Sequence, residues 1–207
     1  MKVLIINGSP RNESNSKFLI NEMTKVFEAL ETEYEIVEVG NKDIRGCIAC
    51  GYCSNHEGCV FKDIVNETAE KFKNSDGLVV VSPVYYASPN GSLISLLDRL
   101  FHSRYYDTKM KVGAAFAIAR RGGTESSFDV LNKYFTISGM PIVSGDYWNN
   151  GFGLEAGDIN EDQEGLRNAR IVAKRMVFLM RAINEAKQKY SKFLVDEPYI
   201  PTHFIKK

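Results

Sequence analysis

The sequence has no excess of charge of either sign. Its 207 residues include 26 Lys and Arg and 26 Asp and Glu, so the formal net charge is zero. A protein that binds nucleic acid through the phosphate backbone needs a basic surface, and this composition does not favour one. We therefore expect no nucleic acid among the partners of this chain.

Long hydrophobic runs are also missing. No segment of the sequence approaches the roughly 18 uninterrupted apolar residues that a membrane span requires. The apolar run that begins at Val3 is too short for the core of a signal peptide and is typical of a strand. We therefore expect a cytoplasmic protein that does not associate with a membrane.

Cysteine is absent outside one short loop, residues 46–59. In a reducing compartment we expect no structural disulfides, so metal or redox chemistry is the better use of clustered thiols. Four thiolates at such short intervals can wrap one iron–sulfur cubane, and zinc would accept the same donors. A redox-active or inert thiol loop is the third interpretation, with His56 as a bystander. The candidate metal ligands are Cys47, Cys50, Cys53 and Cys59.

Short apolar segments alternate with amphipathic ones along a chain whose length suits one domain. The short segments are typical of buried strands and cover residues 2–7, 35–39, 77–82, 112–119 and 141–144. Apolar residues at helical spacing predict helices at 18–30, 93–101, 128–135 and 166–183. This alternation predicts an α/β fold, a flavodoxin-like doubly wound five-stranded parallel sheet in the order 2-1-3-4-5 with helices on both faces.

The turn after the first strand lies where such a sheet binds ligands. It reads G-S-P-R-N-E-S-N-S over residues 8–16 and contains neither a Walker motif nor G-x-G-x-x-G. A nucleoside triphosphate or a dinucleotide held by its pyrophosphate is thus disfavoured. Side chains that suit a single terminal phosphate monoester are Ser9, Arg11, Ser14, Asn15 and Ser16. The alternative is that Ser14 or Ser16 only caps the following helix.

Two further turns are expected at the same edge of the sheet. The stretch P-V-Y-Y at residues 83–86 presents adjacent tyrosines, which can stack on a flat ligand or pack in the core. The stretch R-G-G at residues 121–123 permits close approach of backbone to a ring, or simply opens a helix. The candidate contacts in these turns are Pro83, Val84, Tyr85, Tyr86, Arg121, Gly122 and Gly123.

Together these motifs resemble the NADPH-dependent FMN reductase branch of the flavodoxin-like superfamily over roughly residues 1–183. The resemblance is carried by G-S-P-R with S-N-S, by S-P-V-Y-Y, by L-D-R-L at residues 97–100 and by R-R-G-G at residues 120–123. It implies an FMN-binding domain, residues 1–190, with the phosphate on Ser9, Arg11, Ser14 and Ser16. The isoalloxazine would lie against residues 83–86 and near residues 121–123. A homodimer or homotetramer is also implied.

The cysteine loop is similar to that of the iron–sulfur flavoproteins of the same superfamily. In those proteins a compact cysteine motif after the second strand binds a [4Fe-4S] cluster, and the position and spacing here agree with it. Residues 191–207 contain Pro198 and Pro201, so we expect an extended arm that packs on a neighbouring surface.

Two functions of different class follow. In the first, an FMN-dependent oxidoreductase passes electrons from NAD(P)H to a small acceptor such as a quinone or flavin, and the cofactor carries the chemistry. No catalytic side chain is assigned, because no Ser–His–Asp or paired-carboxylate arrangement is evident. In the second, an iron–sulfur flavoprotein carries electrons from a ferredoxin-like donor through a [4Fe-4S] cluster on Cys47, Cys50, Cys53 and Cys59. A flavin-free binding module is the third alternative and would reduce the phosphate turn to a helix cap.

Overall fold

Strands and helices alternate through the residues that the computed structural model describes, 1–198, 200 and 202. Within that part of the chain the strands are β1 (Lys2–Asn7), β2 (Glu33–Glu38), β3 (Gly77–Tyr85), β4 (Ser88–Pro89), β5 (Val112–Ala119) and β6 (Asn150–Phe152). The α-helices are α1 (Asn15–Ala29), α2 (Ile64–Lys73), α3 (Gly91–His102), α4 (Thr124–Thr136) and α5 (Gln163–Tyr190). No helix in the described residues is both long enough and apolar enough to cross a membrane.

Five of the strands form a parallel sheet in the order β2-β1-β3-β5-β6. Counted over the parallel strands alone, this is the order 2-1-3-4-5, so the predicted fold is confirmed. The sheet has six strands instead of five, because the two-residue strand β4 pairs antiparallel with the end of β3. The hairpin that β3 and β4 form lies at the carboxyl edge of the sheet, where the ligand site was expected.

Helices cover both faces of the sheet. In β1, Val3 and Ile5 belong to the core beneath α1 and α5, whereas Leu4 and Ile6 belong to the core beneath α2, α3 and α4. All four side chains are completely buried. A strand buried on both faces reads as a continuous apolar run, which is why the strands could be recognised in the sequence. The helices leave the carboxyl edge of the sheet open, and ligands bind at this edge in folds of this kind.

The fifth parallel strand lies later in the chain than predicted. The prediction was residues 141–144, but there only Ile142 forms an isolated bridge with Gly113, and the strand itself is β6. The carbonyl oxygen of Ser144 accepts a hydrogen bond from Arg175 Nη1 at 2.9 Å. A side chain of α5 therefore binds the backbone between the isolated bridge and β6.

Two helices differ from the sequence prediction. The prediction omits α2, although Val65, Ala69 and Phe72 are buried at helical spacing and Asp63 caps the helix through its Oδ1 atom, 3.1 Å from the Val65 nitrogen. The last helix, α5, extends beyond the predicted residues 166–183 at both ends. The apolar periodicity behind that prediction marks only the part of α5 that is packed against the sheet.

The predicted arm, residues 191–207, is described only in part. It begins with a 3-10 turn at Ser191–Leu194, and residues 195–198 have no regular structure. Phe193 and Val195 expose more than two thirds of their surface. Residues 199, 201 and 203–207 lie outside the described residues, so the packing of the arm stays a prediction.

Candidate functional site

The carboxyl ends of β1, β3 and β5 open into one cleft with a volume of about 630 Å³, including space open to solvent. The cleft contains residues from the phosphate turn, from the end of β3, from the end of β5 and from the segment after β6. They are Ser9, Arg11, Ser14, Asn15, Ser16, Pro83, Val84, Tyr85, Ile118, Ala119, Arg120, Gly153, Leu154 and Ala156. Residues from two separately predicted turns thus meet in one place.

The turn between β1 and α1 keeps donors free for a ligand. Ser14 is the N-cap of α1, and its Oγ accepts a hydrogen bond from the Lys17 nitrogen at 3.2 Å. Ser16 is buried, and its hydroxyl has no hydrogen-bond partner among the described residues. The first N–H groups of a helix lack intrahelical partners and, with the helix dipole, favour an anion. The turn can therefore cap the helix and still bind a phosphate.

Charge around this turn also favours an anion. The carboxylate of Glu13 pairs with Lys17 Nζ at 2.6 Å and is largely exposed, so its charge is offset on the solvent side. Arg11 lines the cleft and has no ion-pair partner within the described part of the chain. A phosphate that enters the turn meets an unpaired guanidinium.

Gly40 supports the phosphate turn from the end of β2. A Cβ atom at this position would lie 2.2 Å from the carbonyl carbon of Ser9 and 2.3 Å from the oxygen of Gly8. Both atoms belong to backbone, which cannot rotate away from the clash. Gly40 is therefore required for the conformation of the turn, and the sequence gives no local sign of it because the contact joins distant segments.

Asn15 links the phosphate turn to the segment that follows β6. Its Oδ1 accepts hydrogen bonds from the backbone nitrogens of Gly157 at 3.0 Å and Ile159 at 3.3 Å. A Cβ atom on Gly153 would lie 2.5 Å from Asn15 Nδ2, so these two segments of the chain approach closely. The amide of Asn15 thus fixes the wall of the cleft that contains Leu154.

The end of β3 enters a hairpin with a strained turn. Tyr86 and Ala87 have φ values of 49° and 58°, the pattern of a type I′ turn, which Asn-Gly usually fills. Left-handed non-glycine residues cost about 1–3 kcal/mol each and cluster at ligand sites. Tyr86 is fully exposed and Tyr85 is half-exposed. Neither ring is buried in the core of the described protein, which leaves both available to a ligand.

The N-terminus of α4 holds this turn in place. The hydroxyl of Ser126 donates a hydrogen bond to the carbonyl oxygen of Ala87 at 2.7 Å. Gly123 has a φ of 88°, and a Cβ atom there would lie 2.8 Å from the Cα of Ala87. The predicted contacts that the structure leaves outside the cleft lining are Tyr86, Arg121, Gly122 and Gly123, whereas Arg120, which the prediction omits, lines it.

A second cavity lies beside α3 and brings the four cysteines together. Its lining includes Cys47, Cys50, Cys53 and Cys59 with Arg99 and His102. All four thiols are free; Cys47 and Cys50 are exposed, and the other two are half-buried. The ring of His56 stacks on Tyr52 with a centroid distance of 4.0 Å, and it does not line the cavity.

Arg99 is the charged group in the wall of this cavity. Burial works to lower the pKa of Arg99, but hydrogen bonds to Asp63 and Cys59 and their charges outweigh it and raise the pKa above its usual value. The guanidinium therefore keeps its positive charge next to the cysteines.

Comparison with known sequences identifies the family. Residues 1–155 match the sequence model of the family described as NADPH-dependent FMN reductase. This chain belongs to that family. The match confirms the resemblance inferred from the motifs. The family is one of FMN-binding oxidoreductases with a flavodoxin-like fold.

Relatives of this FMN reductase family member include iron–sulfur flavoproteins. One from Methanocaldococcus jannaschii is 33% identical over 194 residues, which cover 89% of this chain and 100% of the relative. One from Methanosarcina thermophila is 32% identical over 193 residues, covering 91% and 100%. The fold is similar to that of an NAD(P)H:quinone oxidoreductase from Methanothermobacter marburgensis, with a TM-score of 0.66 and 18% identity over 85% of this chain and 96% of the other.

The cleft of this FMN reductase family member fits FMN in its donor set. One end has Arg11, the hydroxyl of Ser16 and the first N–H groups of α1, which suit a phosphate monoester. The other end has Pro83 and Tyr85, which can pack against a flat ring. The two ends share one cleft, as a ligand with a phosphate and a ring requires.

Four cysteines in one cavity are donors that either a zinc ion or an iron–sulfur cluster can use. Within the described residues, no three His, Cys, Asp or Glu side chains are grouped as ligands of one metal ion. A zinc ion draws four ligands to one point, whereas a cubane takes one thiolate on each iron and keeps the sulfurs further apart. Both groups accept four cysteine thiolates, so the donor set of the cavity fits a [4Fe-4S] cluster and a zinc ion alike.

We expect Ser126→Ala to weaken FMN binding about three- to tenfold, because one hydrogen bond that holds the strained turn is lost. Alanine is a good helix former, so the substitution should not lower the stability of α4. Titration of the apoprotein with FMN measures the effect. Ser92→Ala is the matched control, since the Ser92 hydroxyl also donates to a loop carbonyl, that of Lys42 at 3.0 Å, away from the cleft. Equal affinities for the two variants would contradict a role for the turn.

Proposed function

We propose that this chain is an FMN-dependent oxidoreductase that passes electrons from NAD(P)H to a small acceptor such as a quinone or flavin. The observation that carries the proposal is the cleft at the carboxyl edge of the sheet, which combines unused phosphate donors with an apolar wall. Bound FMN would supply the redox chemistry, accepting a hydride and releasing electrons.

The chain's own residues would bind and orient the cofactor. Arg11, Ser9 and Ser16 would hold the phosphate with the N-terminus of α1, and Ser14 would contribute while it caps that helix. The hairpin at residues 83–86 would position the ring. Backbone N–H groups at residues 121–123 would stabilise negative charge on it. The proposal needs no acid or base from the protein.

A second candidate function is an iron–sulfur electron carrier. The observation that favours it is the cavity shared by Cys47, Cys50, Cys53 and Cys59, and the relatives named iron–sulfur flavoproteins support it. The four thiolates would hold a [4Fe-4S] cluster, and a ferredoxin-like protein would be the electron donor. In this case no nicotinamide need bind.

We also propose that the protein is a homodimer or homotetramer. Apolar side chains remain exposed at the edge of the sheet where the cleft opens, including Tyr86, Trp148 and Leu154, and such surfaces commonly mark interfaces. The tail after residue 190 would pack as an arm on a neighbouring subunit or on its own domain.

The test is to purify the protein anaerobically and to measure FMN, iron and acid-labile sulfide per subunit, and then the rate of flavin reduction. FMN without iron, reduced rapidly by NADPH or NADH, would support the first function. FMN with stoichiometric iron and sulfide, reduced rapidly by a reduced ferredoxin and slowly by nicotinamides, would support the second. Protein that binds no flavin would overturn both.

A further inference from the structure

Arg99 is a buried charge that the flavin cleft does not use. Only 1% of its surface is exposed. Its guanidinium forms a bidentate pair with Asp63, with Nη1–Oδ2 and Nη2–Oδ1 distances of 2.7 and 2.9 Å. Nη1 also donates to the carbonyl oxygen of Arg45 at 3.1 Å. These contacts fix the plane of the guanidinium and leave Nε–H to donate into the thiol cavity.

The partner of that donor is the last cysteine of the loop. Arg99 Nε lies 3.2 Å from Cys59 Sγ. The central guanidinium carbon lies 5.0 Å from the centroid of the Phe61 ring, which covers one face of the guanidinium. A hydrogen bond from a charged donor is stronger than one between neutral groups, and exclusion of solvent strengthens it further.

The backbone of Cys59 is fixed as firmly as its sulfur. The Asn66 side chain on α2 accepts from the Cys59 nitrogen at 2.8 Å and donates to the Cys59 carbonyl oxygen at 2.9 Å. Cys47 and Cys50 are exposed by contrast. Cys59 is thus anchored to two helices through Asn66 and Arg99.

We propose that Arg99, oriented by Asp63, is a positioning residue for a sulfur-bound metal cluster in this cavity. It holds Cys59 in place, and its Nε–H group stabilises the extra negative charge that the sulfurs carry when the cluster is reduced, because hydrogen bonds to the sulfurs raise the reduction potential. This inference rests on the second candidate function.

The test compares anaerobically reconstituted wild-type protein with Arg99→Gln and Arg99→Lys. Lysine keeps the charge but not the planar fork that serves Asp63 and Cys59 together. In both variants we expect the equilibrium constant for one-electron reduction of the cluster to fall about tenfold, which corresponds to a potential about 59 mV more negative. The affinity for FMN should not change. The readouts are a redox titration followed by EPR, iron content and FMN titration.

The matched control is Arg104→Gln. Arg104 follows the same helix, and its Nη1 donates to Ser138 Oγ at 2.9 Å and not to any cysteine. The control should keep the wild-type potential. An equal shift in Arg104→Gln would assign the effect to general charge and overturn the proposal.

A measurement on the wild-type protein guards against variants that do not fold. The chain is labelled with ¹⁵N-arginine, and the reduced cluster is examined by pulsed EPR. A ¹⁵N coupling that is absent from unlabelled protein supports the hydrogen bond, and no coupling overturns it. Unchanged potentials in folded Arg99 variants would overturn the role of Arg99 and leave the cluster in place. Wild-type protein that takes up no iron or sulfide would overturn the carrier function, and the inference with it.

Discussion

Replacing Gly40 with alanine is expected to weaken FMN binding at least about tenfold, or about 1.4 kcal/mol. The added methyl group would meet the backbone of Gly8 and Ser9 at 2.2–2.4 Å, well inside van der Waals contact. Because backbone atoms cannot adopt another rotamer, the phosphate turn itself must move. Overpacking of this kind typically costs about 1–3 kcal/mol of folding free energy as well.

The measurement is an FMN titration of the apoprotein together with thermal unfolding with and without FMN. Gly91→Ala is the matched control: it adds the same methyl group at the first residue of α3, where no described atom beyond its chain neighbours and its own helix backbone lies within 4 Å. Alanine is favoured over glycine in a helix, so the control should be at least as stable as the wild type. A Gly40→Ala variant that bound FMN as tightly as Gly91→Ala would show that the turn does not hold the phosphate.

Replacing Cys50 with alanine is expected to remove most of the iron and sulfide from the anaerobically purified protein and to leave FMN bound. A cubane with three of its four thiolates is labile, and Cys50 is exposed to solvent, so water can reach the vacant iron. No residue in the described part of the chain lines both the thiol cavity and the flavin cleft, which is why the flavin should remain.

The matched control for this variant is His56→Ala. His56 lies in the same loop, its ring stacks on Tyr52, and it does not line the cavity. Iron, sulfide and FMN are measured per subunit for both variants and the wild type. Iron that persists in Cys50→Ala at the wild-type level would contradict coordination by the four cysteines, and zinc in place of iron and sulfide would favour a structural metal site.

The features that could be predicted from the sequence are those that depend on the local spacing of apolar residues. Buried parallel strands are continuous apolar runs, so β1, β3 and β5 are recognisable, and their alternation with helices predicts a doubly wound parallel sheet. The order 2-1-3-4-5 is that of the flavodoxin-like kind of such a sheet. The phosphate turn is recognisable because it directly follows β1. The helix α2 could also have been predicted, because Val65, Ala69 and Phe72 have helical spacing and Asp63 is a typical N-cap residue.

The features that could not be predicted depend on contacts between distant segments. Nothing near Gly40 indicates that Ser9 will pack on it, and nothing near Asn15 indicates that its amide will bind Gly157. The type I′ turn was missed for a different reason, because Tyr86 and Ala87 do not carry the Asn-Gly signature of such turns. Tertiary contacts at Ala87 impose that turn on residues that do not prefer it.

The late position of β6 has a consequence for how copies of this chain can associate. A long, straight edge strand offers a row of unpaired N–H and C=O groups with which a strand of another copy can pair. Of the two edge strands, β2 and β6, the second has three residues, and the segment before it is held by ion pairs from Asp146 to Arg167 and Arg175. This interrupted edge disfavours backbone pairing at β6, so copies of the chain are not expected to extend the sheet from this side.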